Sequence, residues 1–115
     1  MDHQKLIETI KKFNEERDWD QFHNVKDLAT AINIESSELQ ELFLWKRPEE
    51  LGAVLDTKRD KIEGEVADIF TFLTIFCYKA NIDLEKAVLK KMEHNANKYP
   101  VSKVKGKSDK YTEYK

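Results

Sequence analysis

The sequence predicts an all-α protein of four helices, on three observations. Apolar residues recur at spacings of three and four through most of the chain. Only three glycines and two prolines interrupt the 115 residues, too few punctuators for a many-turned β fold. Asn, Asp and Pro stand where such helices would start and stop.

The first helix spans about Asp2 to Arg17 on Leu6, Ile10 and Phe13, with Ile7 beside them. Trp19, Phe22 and His23 follow in a connecting loop. A second helix starts at Asn24, which can cap it with Asp27 three residues on, as in a capping box. It continues to about Trp45 on Leu28, Ile32, Leu39 and Leu42, and Pro48 stops it or opens a short turn. The stretch Lys46 to Lys58, with Pro48, Gly52, Asp56 and Thr57, reads as a loop with room for one helical turn.

The third helix covers about Arg59 to Ala80 on Ile62, Val66, Ile69, Leu73 and Phe76. Beyond Asp68 it is apolar on more than one face, because Phe70, Phe72, Ile75 and Tyr78 join in. A helix apolar all round is buried on all sides. One small bundle can hardly do that alone, so this helix is expected in a subunit interface. Asn81 breaks the chain and Asp83 can cap a fourth helix. That helix carries Leu84, Val88, Met92 and Tyr99 and ends before Pro100. Residues 1–100 thus form one helical domain, and 101–115 a lysine-rich tail without a core of its own.

Composition excludes several classes. Lys and Arg total 20 against 22 Asp and Glu, without the basic excess of a nucleic-acid binder, so no nucleic-acid partner is expected. A lone cysteine, Cys77, excludes an intramolecular disulfide framework, suits a reducing compartment, and reads as apolar filler. The start, Met1 to Lys5, has no apolar signal core. The longest apolar stretch, Ile69 to Tyr78, falls short of the ~20 residues that span a bilayer. A cytoplasmic protein with no membrane partner is the expectation.

The chemistry lies in carboxylates. Glu35 and Glu38 on the second helix, and Glu65 and Asp68 on the third, are each spaced i, i+3 and so share a helix face. In the row Leu28, Ile32, Glu35, Leu39, Leu42 an acid stands where an apolar residue is called for. In the row Ile62, Glu65, Ile69, Phe72, Phe76 another does. Glu38 and Asp68 lie at the edges of the same faces. Two inward carboxylates ~5 Å apart repel by ~3 kcal/mol at an effective dielectric of ~20. Four together need protonation, basic partners or a metal. All four ligands are hard oxygens, which suits Mg²⁺ or Mn²⁺ and argues against zinc or copper. With 37% of residues charged, one such pair is commonly a solvated surface feature. Two pairs that both interrupt apolar stripes are more telling.

On the fourth helix Lys91, Asn95 and Lys98 are spaced i, i+4, i+7, and Asn95 interrupts the Val88–Met92–Tyr99 stripe. Lysines near a bound metal would suit a polyphosphate, with Asn donating to a phosphate oxygen or sugar hydroxyl; the lysines taken alone are equally a solvated face. Trp19 and Trp45 each sit at or just past a helix end. Each could stack on a nucleobase or close the end of the core. His23 is given no catalytic role.

With these residues in place, the chain resembles the MazG-like all-α nucleoside triphosphate pyrophosphohydrolases, in particular their dCTP-pyrophosphatase-like branch. The resemblance rests on E-x-x-E, a spacer, then E-x-x-D, here Glu35, Glu38, Glu65 and Asp68. Around them stand Glu16-Arg17-Asp18-Trp19 with Phe22-His23, Phe43-Leu44-Trp45-Lys46, and Lys91-Met92 leading to Asn95, Lys98, Tyr99 and Pro100. The tail from Lys105-Gly106-Lys107 through Lys110-Tyr111-Thr112 also matches. It implies a four-helix bundle that assembles as a homodimer or homotetramer. It implies that Glu35, Glu38, Glu65 and Asp68 hold Mg²⁺, with Mn²⁺ a possible substitute. It further implies that Lys91, Asn95, Lys98 and Tyr99 handle phosphates or sugar, and that Trp19 and Trp45 flank the base. Two departures stand out: Ile34 precedes Glu35 where many members carry a second acid, and Phe72 stands where some carry a polar aromatic.

The expected reaction converts a (d)NTP and water to (d)NMP and pyrophosphate, on dCTP-like or modified nucleotides, in house-cleaning or pool balancing. Glu38 is the candidate to orient the attacking water, with Glu41 one turn further along in reserve. A di-iron bundle would need Glu-x-x-His on two helices, and no glutamate here has a histidine at that spacing. The other alternative is a non-catalytic helical module that binds nucleotides or a partner helix.

Overall fold

The computed structural model describes residues 1–107. Among them every regular element is helical: α1 His3–Glu16, α2 Val25–Glu41, α3 Leu51–Thr57, α4 Arg59–Lys79, α5 Leu84–Lys98 and α6 Val101–Val104, with 3₁₀ turns at Asp20–Phe22 and Pro48–Glu50. The chain divides into two compact units, Met1–Asn81 and the part from Ile82 onward.

Side chains cap the starts of α1, α2 and α5, at Asn24 and Asp83 as the sequence predicts. Asp2 accepts from the Lys5 amide at 3.0 Å, and Asp83 from the Lys86 amide at 3.0 Å. Asn24 accepts from the Asp27 amide at 2.9 Å. Its own side-chain amide donates to the Asp27 carboxylate at 2.7 Å, closing the box side chain to side chain. Each cap satisfies an amide that the first turn leaves without a partner.

Two segments depart from expectation. The second helix ends at Glu41 rather than Trp45. From there the chain tightens into i→i+3 bonds, Phe43 N to Gln40 O at 3.0 Å and Lys46 N to Phe43 O at 3.1 Å. It leaves through Trp45 at φ 63°, in the left-handed region. The supposed loop from Lys46 to Lys58 is mostly helix: Pro48 opens the 3₁₀ turn, which runs directly into α3.

In the first unit α4 is the central element, and α1, α2 and α3 all pack on it, α2 most extensively. The apolar run after Asp68 is the cause. Thr74, Ile75 and Cys77 are buried, and the residues from Ile69 to Phe76 are at least half-covered. Leu28 from α2 and Ile75 from α4 are each only 1% exposed and, with Leu42, Val54 and Cys77, make the buried apolar core. Burying one such side chain contributes roughly 1.5–3 kcal/mol. The second unit contains α5 and α6, the latter one short turn at the start of the expected tail. Lys110, Tyr111 and Thr112 lie outside the described residues.

Candidate active site

Because α2 packs on α4, its carboxylate pair meets Glu65. Oxygens of Glu35, Glu38 and Glu65 all lie within 4.8 Å of one another. Glu35 and Glu65 are half-buried and Glu38 is exposed. One oxygen of Glu35 and one of Glu65 are fully buried without a hydrogen-bond partner. Buried carboxylate oxygens ordinarily have donors, so these two lack the partner that their position requires.

The electrostatics follow. Burial, then hydrogen bonding and charge from Glu38, then Glu65 and Asp68, push the Glu35 carboxyl up to about 7. Glu65 is raised too, by burial first and Glu38 second. Asp68 contributes charge to both but stands outside the close trio. Three converging carboxylates, two of which also carry a buried oxygen without a donor, fit a small divalent cation such as Mg²⁺ or Mn²⁺.

Asp68 faces the next feature, a cavity of about 520 Å³. Its walls are Thr9, Ile10, Phe13 and Asn14 from α1, Trp19 and His23 beside the first 3₁₀ turn, and Asp68, Thr71, Phe72 and Ile75 from α4. The Trp19 ring meets Phe13 edge-to-face at 5.7 Å. The Arg17 guanidinium carbon lies 3.8 Å from the centre of the Phe13 ring. Asp18, at φ 54°, reverses the chain after α1, and the Trp19 amide bonds back to Asn14 O at 2.9 Å. Two pocket residues present buried nitrogens without hydrogen bonds, Asn14 Nδ2 and His23 Nδ1. Asn14 is 4% exposed. It lies near the Tyr78 phenol, whose pKa is raised chiefly by burial. An apolar cavity with a few unpaired polar groups, next to perturbed carboxylates, is the general form of a small-molecule site.

The sequence-derived residues thus fall into groups. Glu35, Glu38 and Glu65 come together, and Asp68 and Trp19 are walls of the cavity. Glu41 is exposed at the end of α2. Trp45 is 90% exposed and is not among the cavity walls. Lys91, Asn95, Lys98 and Tyr99 belong to the second unit, where the Tyr99 amide donates to Asn95 O at 2.8 Å and closes α5. Sequence reasoning missed Asn14, Thr9 and Thr71, and gave no role to His23. Asn14 carries the same signal as Glu35: it follows Leu6 and Ile10 at four-residue steps, a polar residue in an apolar row.

The model of the MazG-like family matches residues 30–114. The chain belongs to the MazG-like family. This member is 39% identical over 104 residues to dCTP pyrophosphatase 1 of Bos taurus, an alignment covering 89% of this chain and 62% of that protein. It is 38% identical to dCTP pyrophosphatase 1 of Homo sapiens, over 89% of this chain and 61% of that one. The MazG-like chain therefore spans about three fifths of the length of these curated relatives. Among solved structures, a pyrophosphatase from Archaeoglobus fulgidus DSM 4304 superposes with a TM-score of 0.82 at 38% identity, over 84% of this chain and 91% of that one.

Proposed function

We propose that this MazG-like protein is a Mg²⁺-dependent nucleoside triphosphate pyrophosphohydrolase that converts a (d)NTP and water to (d)NMP and pyrophosphate. The observation that carries the reading is the meeting of Glu35, Glu38 and Glu65 oxygens within 4.8 Å, with Asp68, whose charge acts on Glu35 and Glu65, lining an aromatic cavity. Relatives named dCTP pyrophosphatase support the same activity and point to dCTP-like or modified substrates, in house-cleaning or pool balancing.

Glu35, Glu38, Glu65 and Asp68 would hold the cation, which supplies neutralisation of triphosphate charge and polarisation of the α-phosphate. Glu38, the exposed member of the trio, orients the attacking water and accepts its proton; Glu41 is the alternative. Trp19 and Phe13 offer ring faces to the base, and the cavity excludes water around it. Trp45 flanks the base from its exposed position. Lys91, Asn95, Lys98 and Tyr99 bind phosphate and sugar. The four-helix bundle and its homodimeric or homotetrameric assembly belong to the same proposal. Ile34 and Val66, half-exposed apolar residues on the two carboxylate helices, are consistent with such an assembly.

Chromatography of the products from each canonical and 5-modified (d)NTP tests this reading. A monophosphate and pyrophosphate in equal amounts, fastest from a cytosine nucleotide, is expected. Diphosphate and orthophosphate would assign a different bond to the enzyme. No turnover of any nucleotide by folded protein with Mg²⁺ would leave a binding module.

A further inference from the structure

Lys79 ends α4, and its side chain reaches a turn 59 residues earlier in the chain. The ammonium lies 2.8 Å from Asp20 Oδ2 and donates to the Asp20 backbone oxygen at 3.3 Å. That same oxygen accepts from the His23 amide at 3.1 Å, closing the 3₁₀ turn Asp20–Phe22. Lys79 is three-quarters covered at this contact. Each of the other ion pairs of the first unit joins residues no more than four apart. This one ties distant elements together.

The turn needs such a tie. None of its three residues is buried, and Phe22 is largely exposed, so apolar packing does little to hold it. Its upstream end is fastened to α1 through the Trp19 amide and the Phe13 ring. Lys79 fastens its first residue, Asp20, to α4, and the Asp20 oxygen that it shares with the His23 amide carries that hold across the turn. Trp19 and His23, on either side of the turn, are both cavity walls. The helix that carries Lys79 also carries Glu65 and Asp68. One rigid element therefore sets the turn and the carboxylates in a common frame, with Asp68 and Lys79 eleven residues, or ~16 Å, apart along it.

We infer that Lys79 is a positioning residue: through Asp20 it holds the Trp19 and His23 walls in register with the carboxylates on α4, and so sets affinity for the base rather than the rate of phosphorus chemistry. The inference rests on the proposed function in taking the cavity's ligand to be a nucleobase.

The test compares wild type, Lys79→Met, Asp20→Ala, the double variant and Lys79→Arg on two substrates, dCTP and the base-free 2-deoxyribose 5-triphosphate. Lys79→Met and Asp20→Ala are each expected to raise KM for dCTP about three- to tenfold, the range for a partly covered ion pair that orders a wall. Values of kcat should stay within about twofold, because the carboxylates are untouched. KM for the base-free triphosphate should not move. The double variant should be no worse than either single one, and Lys79→Arg, which keeps the charge and offers more than one donor, should restore KM. Equal losses on both substrates would show a merely structural role and overturn the inference, as would an unchanged KM for dCTP. Amide exchange at His23 gives a reading independent of turnover and of Lys79→Met folding well, since Asp20→Ala serves equally. Faster exchange at that amide, with α2 and α4 unchanged, is expected; unaltered exchange in an active enzyme overturns the inference alone. A wild type that neither cleaves nor binds any nucleotide, with His23 exchange still altered, would instead sink the functional reading.

Discussion

Replacing Glu35 by Gln should make the metal-free protein more stable at pH 8 and change little at pH 5. Burial and the neighbouring acids push this carboxyl from its ordinary 4.5 up to about 7. Between those values the folded chain keeps a proton that the unfolded chain gives up. The stabilisation from that proton is complete below about pH 4.5 and is lost as pH rises through 7. Above pH 7 Glu35 bears its charge against Glu38. Their oxygens lie at most 4.8 Å apart, where two unit charges repel by roughly 3 kcal/mol at an effective dielectric of 20. Glu38 faces solvent, and that screening leaves on the order of 1 kcal/mol. In a chain of this size the gain corresponds to about 4 °C in unfolding midpoint. Thermal unfolding in EDTA at the two pH values measures it. Mg²⁺ should reverse the order, raising wild type and leaving Glu35→Gln nearly where it was. A variant less stable than wild type in EDTA at pH 8, or a gap of the same size at pH 5, would refute the reasoning. It would mean that the acids are already compensated within the protein.

Other consequences follow from burial. Leu28→Ala, at a side chain 1% exposed, should cost about 2–5 kcal/mol in denaturant unfolding. Asn14→Leu removes a buried side-chain nitrogen without a hydrogen-bond partner; free-protein stability should hold or rise by about 1 kcal/mol, while nucleotide affinity falls in calorimetry. Trp45→Ala, at a ring 90% exposed, should shift stability by less than about 0.5 kcal/mol yet raise KM for nucleotides. An unchanged KM would remove Trp45 from the base site.

The long helices were legible from their apolar periods, and α2 and α5 are written a second time, in a cap. Asn24 and Asp83 stand at the N-caps the sequence predicts. The end of α2 was not legible: Leu42 to Trp45 contains no glycine or proline, and the left-handed turn at Trp45 has no local signature. Pro48 and Gly52 suggested a loop at α3, but Val54, 6% exposed, packs there and tertiary burial overrides the breakers. The carboxylates were legible because Glu35 and Glu65 break apolar rows on the two helices that pack most closely. The cavity was not, because its walls come from α1, a turn and α4, and only the fold brings Asn14, His23 and Phe72 to one place.

The most direct test of the central claim is pyrophosphate release from a panel of (d)NTPs by wild type and Glu65→Gln, each with Mg²⁺ and with EDTA. The account predicts release that needs both the cation and Glu65, with the variant still folded. Release that persists in EDTA, or undiminished turnover by Glu65→Gln, would contradict it.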